Sequence, residues 1–320
     1  MTPFGRSGPV PTQRPANLER LLTSAGAVLL GKEAELKLAV TCLLARGHLL
    51  IEDVPGVGKT TLAHLLARLL GLHQTRIQFT SDLLPADILG VSIYERHEER
   101  FRFHPGPIFA QLVLADEINR ATPKAQSALL EAMEERQVTV EGTTRSLPRP
   151  FFVIATQNPA YQVGTFPLPE SQLDRFLMRI ELGYPPAEQE KELLAGEDRR
   201  AMIERQPAVI GVDELLALQA TVDRVHASPA IIEYCHEILL FTRRCGHFPH
   251  GLSPRAGLGL LRSARAWALL DGRDFVLPED VQTVLTPCTV HRLGDSGSQR
   301  TGRTDHQAIA DLILDGVPVP

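Results

Sequence analysis

Asp53-Val-Pro-Gly-Val-Gly-Lys-Thr60 sets two glycines, a lysine and a hydroxyl in the order that cradling a phosphate requires. The segment follows an apolar run, GHLLIED (47–53), and leads directly into a helical one, TTLAHLLARLL (60–70). Backbone N–H groups from Gly56 to Thr60 can converge on phosphate at a helix N-terminus, where the helix dipole also favours negative charge. Pro55, Gly56, Val57, Gly58, Lys59, Thr60 and Thr61 are the expected contacts to a nucleotide such as ATP. Lys59 would reach the β- and γ-phosphates and the Thr60 hydroxyl would ligate Mg²⁺. Asp53 departs from the general pattern, which has glycine there, and its carboxylate faces phosphate unless it turns away. Taken alone, a glycine-rich turn with an exposed lysine remains the plainer alternative.

A second group narrows the choice. Leu112-Val-Leu-Ala-Asp116-Glu117 is an apolar strand delivering two carboxylates at its C-terminal end, where open parallel sheets bind ligands. Asp116 suits the Mg²⁺ shell, through water, and Glu117 suits polarisation of an attacking water. FFVIATQNP places Thr156, Gln157 and Asn158 at the end of another buried run, where a polar side chain could reach the same water or the γ-phosphate. Arg175, in LPESQLDRF, and Arg255, opening a helix after Ser253-Pro254, complete the candidates. An isolated arginine serves equally as a surface ion-pair partner.

These residues need a scaffold of buried parallel strands. Four short, nearly continuous apolar runs supply it: 47–53, 76–80, 110–116 and 151–156. Helical patterns at 60–70 and 122–136 lie between them, the second with Thr122 as N-cap and Pro123 at the first helical position. Residues 90–107 and 137–150 alternate around polar turns and predict two β-hairpins inserted into the wound core. After residue 184 the strand signal stops. Ser228-Pro229, Ser253-Pro254 and Leu277-Pro278 each start a helix. Ile231, Cys235 and Ile238 form one apolar stripe, and Leu258, Leu261, Ala264 and Ala268 another, ended near Gly272. Thr304 to Leu314 predicts the last helix. The organisation expected is a disordered tail (1–18), basic through Arg6 and Arg14, an α/β core (19–184) and an all-α domain (185–320).

Composition excludes several classes. A chain of 320 residues with 43% hydrophobic and 22% charged residues describes a soluble globular protein. No apolar run approaches the roughly 20 residues needed to span a bilayer. The proline-rich start lacks the apolar stretch of a secretion signal, which places the chain in the cytoplasm. Cys42, Cys235, Cys245 and Cys288 lack metal-ligand spacing and read as reduced residues. A net charge of −5 gives no global attraction to nucleic acid. Arg96, Arg100 and Arg102 in the first hairpin are interleaved with Glu95, Glu98 and Glu99, which largely cancels their field.

In this order the segments resemble the AAA+ superfamily, and most closely its MoxR family. GHLLIEDVPGVGKT, LADEINRATPKAQSALLEAMEE, ATQNP and LPESQLDRF carry the resemblance, which runs from about Gly31 to the terminal VPVP. MoxR-like proteins often lack the first glycine of the phosphate loop, so Asp53 agrees with the family. The resemblance implies a P-loop core with hairpin insertions followed by an all-α lid. It makes Asn158 sensor 1, Arg175 an arginine finger donated to a neighbour's ATP, and Arg255 sensor 2, in cis or in trans. It further implies a homo-oligomeric, hexameric ring that hydrolyses ATP with Mg²⁺ to remodel client proteins, working with a von Willebrand factor A-domain partner. A nucleic-acid motor related to the MCM proteins, and a scaffold that binds ATP without turnover, are the alternatives. Phe166 has no role derivable from the sequence.

Overall fold

A computed structural model describes residues 15–158, 166–293 and 306–320. Two helices, α1 (Ala16–Gly26) and α2 (Glu33–Leu44), precede the first strand, β1 (Leu49–Glu52), which passes through the glycine loop into α3 (Lys59–Leu69). β2 (Gln74–Gln78) and the short α4 (Pro85–Leu89) lead to a hairpin, β3 (Gly90–Glu95) and β4 (Arg100–Pro105). β5 (Leu112–Asp116) is followed by a 3₁₀ turn at Ile118–Arg120 and by α5 (Pro123–Glu135). A second hairpin, β6 (Gln137–Val140) and β7 (Thr143–Ser146), precedes β8 (Phe152–Gln157), α6 (Glu170–Leu173) and β9 (Met178–Ile180). The rest is helical: α7 (Ala187–Ala195), α8 (Arg199–Arg205), α9 (Val212–Val222), α10 (Pro229–Arg244), α11 (Pro254–Leu270), α12 (Pro278–Thr289) and α13 (His306–Gly316).

The central sheet is parallel, in the order β2-β5-β8-β1-β9. Successive strand residues point to opposite faces, and here both faces are buried. Leu49, Ile51, Leu112, Leu114, Phe152 and Ile154 pack with α1, α2 and α3 on one side. Leu50, Val113, Ala115, Val153 and Ala155 pack with α5 on the other. This explains why the strands read as continuous apolar runs. The parallel register brings Gln78 level with Asp116 and Glu52 level with Gln157, so four strand ends form one rim.

Both hairpins form as expected. Gly90 (φ 97°) is where the first leaves α4; a Cβ there would lie 2.3 Å from the His104 carbonyl oxygen, so only glycine fits. Arg145 of β7 stacks 3.8 Å over Phe103 of β4 and joins the hairpins.

The sequence expectations needed four adjustments. Residues 16–18, assigned to the tail, are helical, and Leu18 is fully buried; Arg6 and Arg14 lie outside the described residues. β2 starts two residues earlier than expected, because pairing with β5 sets its limits. Leu258 is 74% exposed, and the buried side of α11 runs instead through Ala256, Leu260, Ala264 and Ala268, at a spacing of four. Thr122 makes no side-chain cap, whereas Ser228 and Ser253 accept hydrogen bonds from the N–H groups of Ile231 (3.3 Å) and Ala256 (3.1 Å). The last helix is described from His306 onward. Cys42, Cys235 and Cys288 are buried free thiols and Cys245 is partly buried.

His48, between α2 and β1, is locked under the sheet. Its Nδ1 accepts from the Val153 N–H (3.0 Å) and its Nε2 lies 3.3 Å from the Met133 carbonyl, which fixes the neutral tautomer with the proton on Nε2. Burial pushes its pKa down to about 4. The folded state therefore binds fewer protons than the unfolded state between pH 4 and 6.5. His48's contribution is complete above pH 6.5 and is lost as pH falls toward 4. We expect the native chain to lose about 2 kcal/mol more than His48→Gln between about pH 7.5 and pH 5, read from denaturant midpoints. Parallel pH profiles for the two proteins would refute this.

Candidate functional site

The turn from β1 into α3 depends on Gly56 (φ 90°) and Gly58 (φ 99°), both in the left-handed region. Neither site is crowded by close atoms; the conformation itself is what demands glycine. It turns successive N–H groups toward one concavity at the start of α3. Asp53 resolves the question its carboxylate poses. Oδ1 accepts from the Val54 N–H (2.7 Å), and Oδ2 accepts from the N–H groups of Leu182 (2.7 Å) and Gly183 (2.6 Å). The charge is turned away from the loop and satisfied by backbone donors. Its main-chain carbonyl accepts instead from Lys59 Nζ at 2.6 Å. Burial lowers the Lys59 pKa, and the carboxylates of Asp53, Asp116, Glu117 and Glu52 oppose that shift.

Across the cleft, Thr156 organises the two acidic residues. Its hydroxyl donates to Asp116 Oδ1 (2.6 Å) and accepts from the Glu117 N–H (2.9 Å). Asp116 Oδ2 pairs with Arg76 of β2 at 2.6 Å. Glu117 stands in the left-handed region (φ 56°), which aims its side chain into the cleft. Oε1 accepts from Asn158 Nδ2 (3.0 Å); Oε2 accepts from Gln78 Nε2 (3.1 Å) and lies 3.1 Å from Arg120 Nε. Asn158 is almost fully buried, and its carbonyl accepts from the Asn119 amide at 2.9 Å. Phe166 finds a place here through its backbone. Its N–H donates to the Asn119 carbonyl, and its carbonyl accepts from Gln126 Nε2.

Pro55, Gly56, Gly58, Lys59, Thr60, Thr61, Asp116, Glu117 and Asn158 line one cleft of about 320 Å³. Val57 belongs to the same loop, but its side chain is in the core, leaving only its backbone for a ligand. Arg76, Gln78, Asn119 and Arg120 were not singled out in the sequence, whereas Thr156 was named there beside Asn158. The available signal was positional: Gln78 ends β2 as Asp116 ends β5.

Arg175 and Arg255 are not among the cleft-lining residues. They meet each other's partner instead. Arg175 lies 3.0 Å from Glu134 Oε2, and Arg255 donates to Glu134 Oε1. Glu134 sits in the last turn of α5, and Arg255, followed by Arg175, holds its carboxyl below the usual range.

A parallel sheet with a glycine loop, a strand-end acid pair and a neighbouring asparagine is the arrangement found in the AAA family of ATPases. In agreement, residues 48–178 match the ATPase family associated with various cellular activities (AAA), and residues 240–312 match the AAA lid domain. The chain is 47% identical over 294 residues to the uncharacterized protein YeaC of Bacillus subtilis, covering 92% of each. It is 38% identical over 313 residues to the chaperone MoxR1 of Mycobacterium tuberculosis, covering 95% of this chain and 82% of that one. A solved structure from Cytophaga hutchinsonii, assigned as an ATPase, superposes with a TM-score of 0.86 at 35% identity, covering 95% of each chain. The chain belongs to the MoxR family. Among the described residues no helix is long and apolar enough to cross a membrane.

Proposed function

We propose that the chain hydrolyses ATP in a closed ring of like subunits and uses the cycle to remodel client proteins. One observation carries this reading. Each subunit holds a complete phosphate cleft, while its two candidate arginines lie together outside that cleft. A head-to-tail interface that closes on itself supplies every cleft with arginines from next door, and a hexamer is the family's habit. Because Arg255 shares Glu134 with Arg175, both are assigned to the neighbour's nucleotide. The core, extended back to residue 16 to include all of α1, and the lid (185–320) are proposed as the two moving units.

The loop N–H groups and Lys59 hold the β- and γ-phosphates. Glu117 takes the proton as a water oxygen attacks the γ-phosphorus and the bond to the β–γ bridging oxygen breaks, leaving ADP and phosphate. Asn158 fixes the Glu117 carboxylate through Oε1. The donor set fits Mg²⁺: the Thr60 hydroxyl would hold it, with Asp116 reaching it through water because both Asp116 oxygens already have protein partners. When bound, Mg²⁺ would supply neutralisation of the phosphate charge.

The word chaperone in the name of the mycobacterial relative supports the remodelling role; the cytoplasm as its setting and a von Willebrand factor A-domain partner are proposed from the family resemblance alone. The first hairpin argues against nucleic acid. Arg100 pairs with Glu98, and Arg102 lies 3.5 Å from Glu95, so these cations are already countered. The test is to capture partners of the Glu117→Gln ring with ATP and Mg²⁺ before and after nuclease. Nuclease-resistant recovery of a von Willebrand factor A-domain protein or a cofactor-bearing enzyme is expected. Replication or repair proteins released by nuclease would overturn the reading.

A further inference from the structure

Two observations fix Arg175 and Arg255 relative to each other. At the backbone, Asp174 immediately precedes Arg175, and Ser253 is two residues before Arg255. The Ser253 hydroxyl lies 3.3 Å from both Asp174 oxygens, and the nearly buried Arg292 grips Asp174 Oδ1 at 2.8 Å while donating to the Phe176 carbonyl at 2.7 Å. This staples α6 of the core to the start of α11 in the lid. At the side chains, Glu134 gives one carboxylate oxygen to each guanidinium. Each contact uses a single terminal nitrogen of its arginine, and a guanidinium has five N–H donors in a planar fork, so both keep donors for a further acceptor. Two guanidinium groups brought together repel, and a shared carboxylate offsets that repulsion and sets their spacing.

We propose that Glu134 is a positioning residue that presents Arg175 and Arg255 as a pair to the nucleotide of the adjacent subunit. The proposal rests on the ring reading above. It gives Glu134 no contact with phosphate; its effect is on how often both arginines stand correctly placed as the γ-phosphate departs. As a stability element the cluster is minor, because exposed ion pairs contribute about 0–1 kcal/mol. Glu134→Ala should therefore fold and assemble. A 1 Å displacement in a reacting assembly costs about a hundredfold, so the consequence falls on turnover.

The test is steady-state ATP hydrolysis by Glu134→Ala, Glu134→Asp and Arg175→Ala rings, each alone and mixed with Glu117→Gln subunits. Glu134→Ala should lose at least about tenfold in kcat with KM for ATP changed less than about twofold. Glu134→Asp, which keeps two acceptor oxygens on a shorter arm, should fall between. Glu117→Gln subunits carry intact arginines and hydrolyse slowly, so, after the turnover of Glu117→Gln alone is subtracted, mixing should raise turnover per intact cleft for both Glu134→Ala and Arg175→Ala. Unchanged kcat in the unmixed variant, or an increase, would overturn the positioning role. If mixing rescues Arg175→Ala and not Glu134→Ala, the ring reading stands and the Glu134 proposal falls. If neither is rescued, arginine donation between subunits fails, and the proposal with it.

Discussion

Arg175→Ala is expected to lower ATP turnover by about 10³-fold or more while leaving ATP affinity close to that of the native chain. The size follows from what an arginine supplied to a departing γ-phosphoryl group contributes in related phosphate-loop enzymes, about 10³–10⁵ in rate. Preserved binding follows from geometry: Arg175 is absent from the residues that line its own cleft, and its side chain pairs with Glu134 on the far end of α5. The interaction the substitution removes is an ion pair between two partly exposed side chains. Stability should change by about 1 kcal/mol or less. Fluorescent-nucleotide titration beside steady-state hydrolysis checks both halves. Retention of more than about a tenth of native turnover would remove Arg175 from the reaction.

Glu117→Gln is the other large effect, an expected fall of about 10²–10⁴ in turnover with ATP held in the cleft. The amide keeps the size of the carboxylate and can still accept from Asn158 Nδ2, so the local frame persists. That frame is strong. A non-glycine residue in the left-handed region costs about 1–3 kcal/mol. Here it is held by the Thr156 hydroxyl on the Glu117 N–H and by the Arg120 N–H on the Glu117 carbonyl. The substitution removes the proton-accepting charge and, at the second oxygen, the pairing with Gln78 and Arg120. Single-turnover hydrolysis, with quenched samples assayed for bound ATP, separates slow chemistry from lost binding. Rapid single-turnover cleavage by the variant would mean that another group accepts the proton.

The wound core was legible because its strands are buried on both faces and its glycine loop and acid pair lie at strand ends. β9 was not singled out, since Met178-Arg179-Ile180 is too short and carries a charge in its middle; its arginine is balanced by Glu52 and Glu181. Leu258 misled because a helix with leucines and small residues on two sides has two defensible stripes, and only packing selects one. Arg76 and Gln78 act through neighbours on other strands, so their importance is a property of register. Glu134 was invisible for the same reason. In EAMEER it is one acid among several on a helix, and both of its partners are at least 41 positions away in the chain.

α5 has thirteen residues, about 20 Å of rod at 1.5 Å per residue. Its first turn is bolted to the Glu117 segment: Gln126 donates to the carbonyls of Ile118, Ala121 and Phe166. Its last turn carries Glu134. A tilt at the hydrolytic end thus becomes a displacement at the end that seats the arginines, with almost no slack in a hydrogen-bonded helix. In the proposed ring, this joins what one subunit has done with its own nucleotide to the help it gives the next. Such a linkage has a direction of travel, and it favours hydrolysis that passes around the circle in turn over subunits that fire independently.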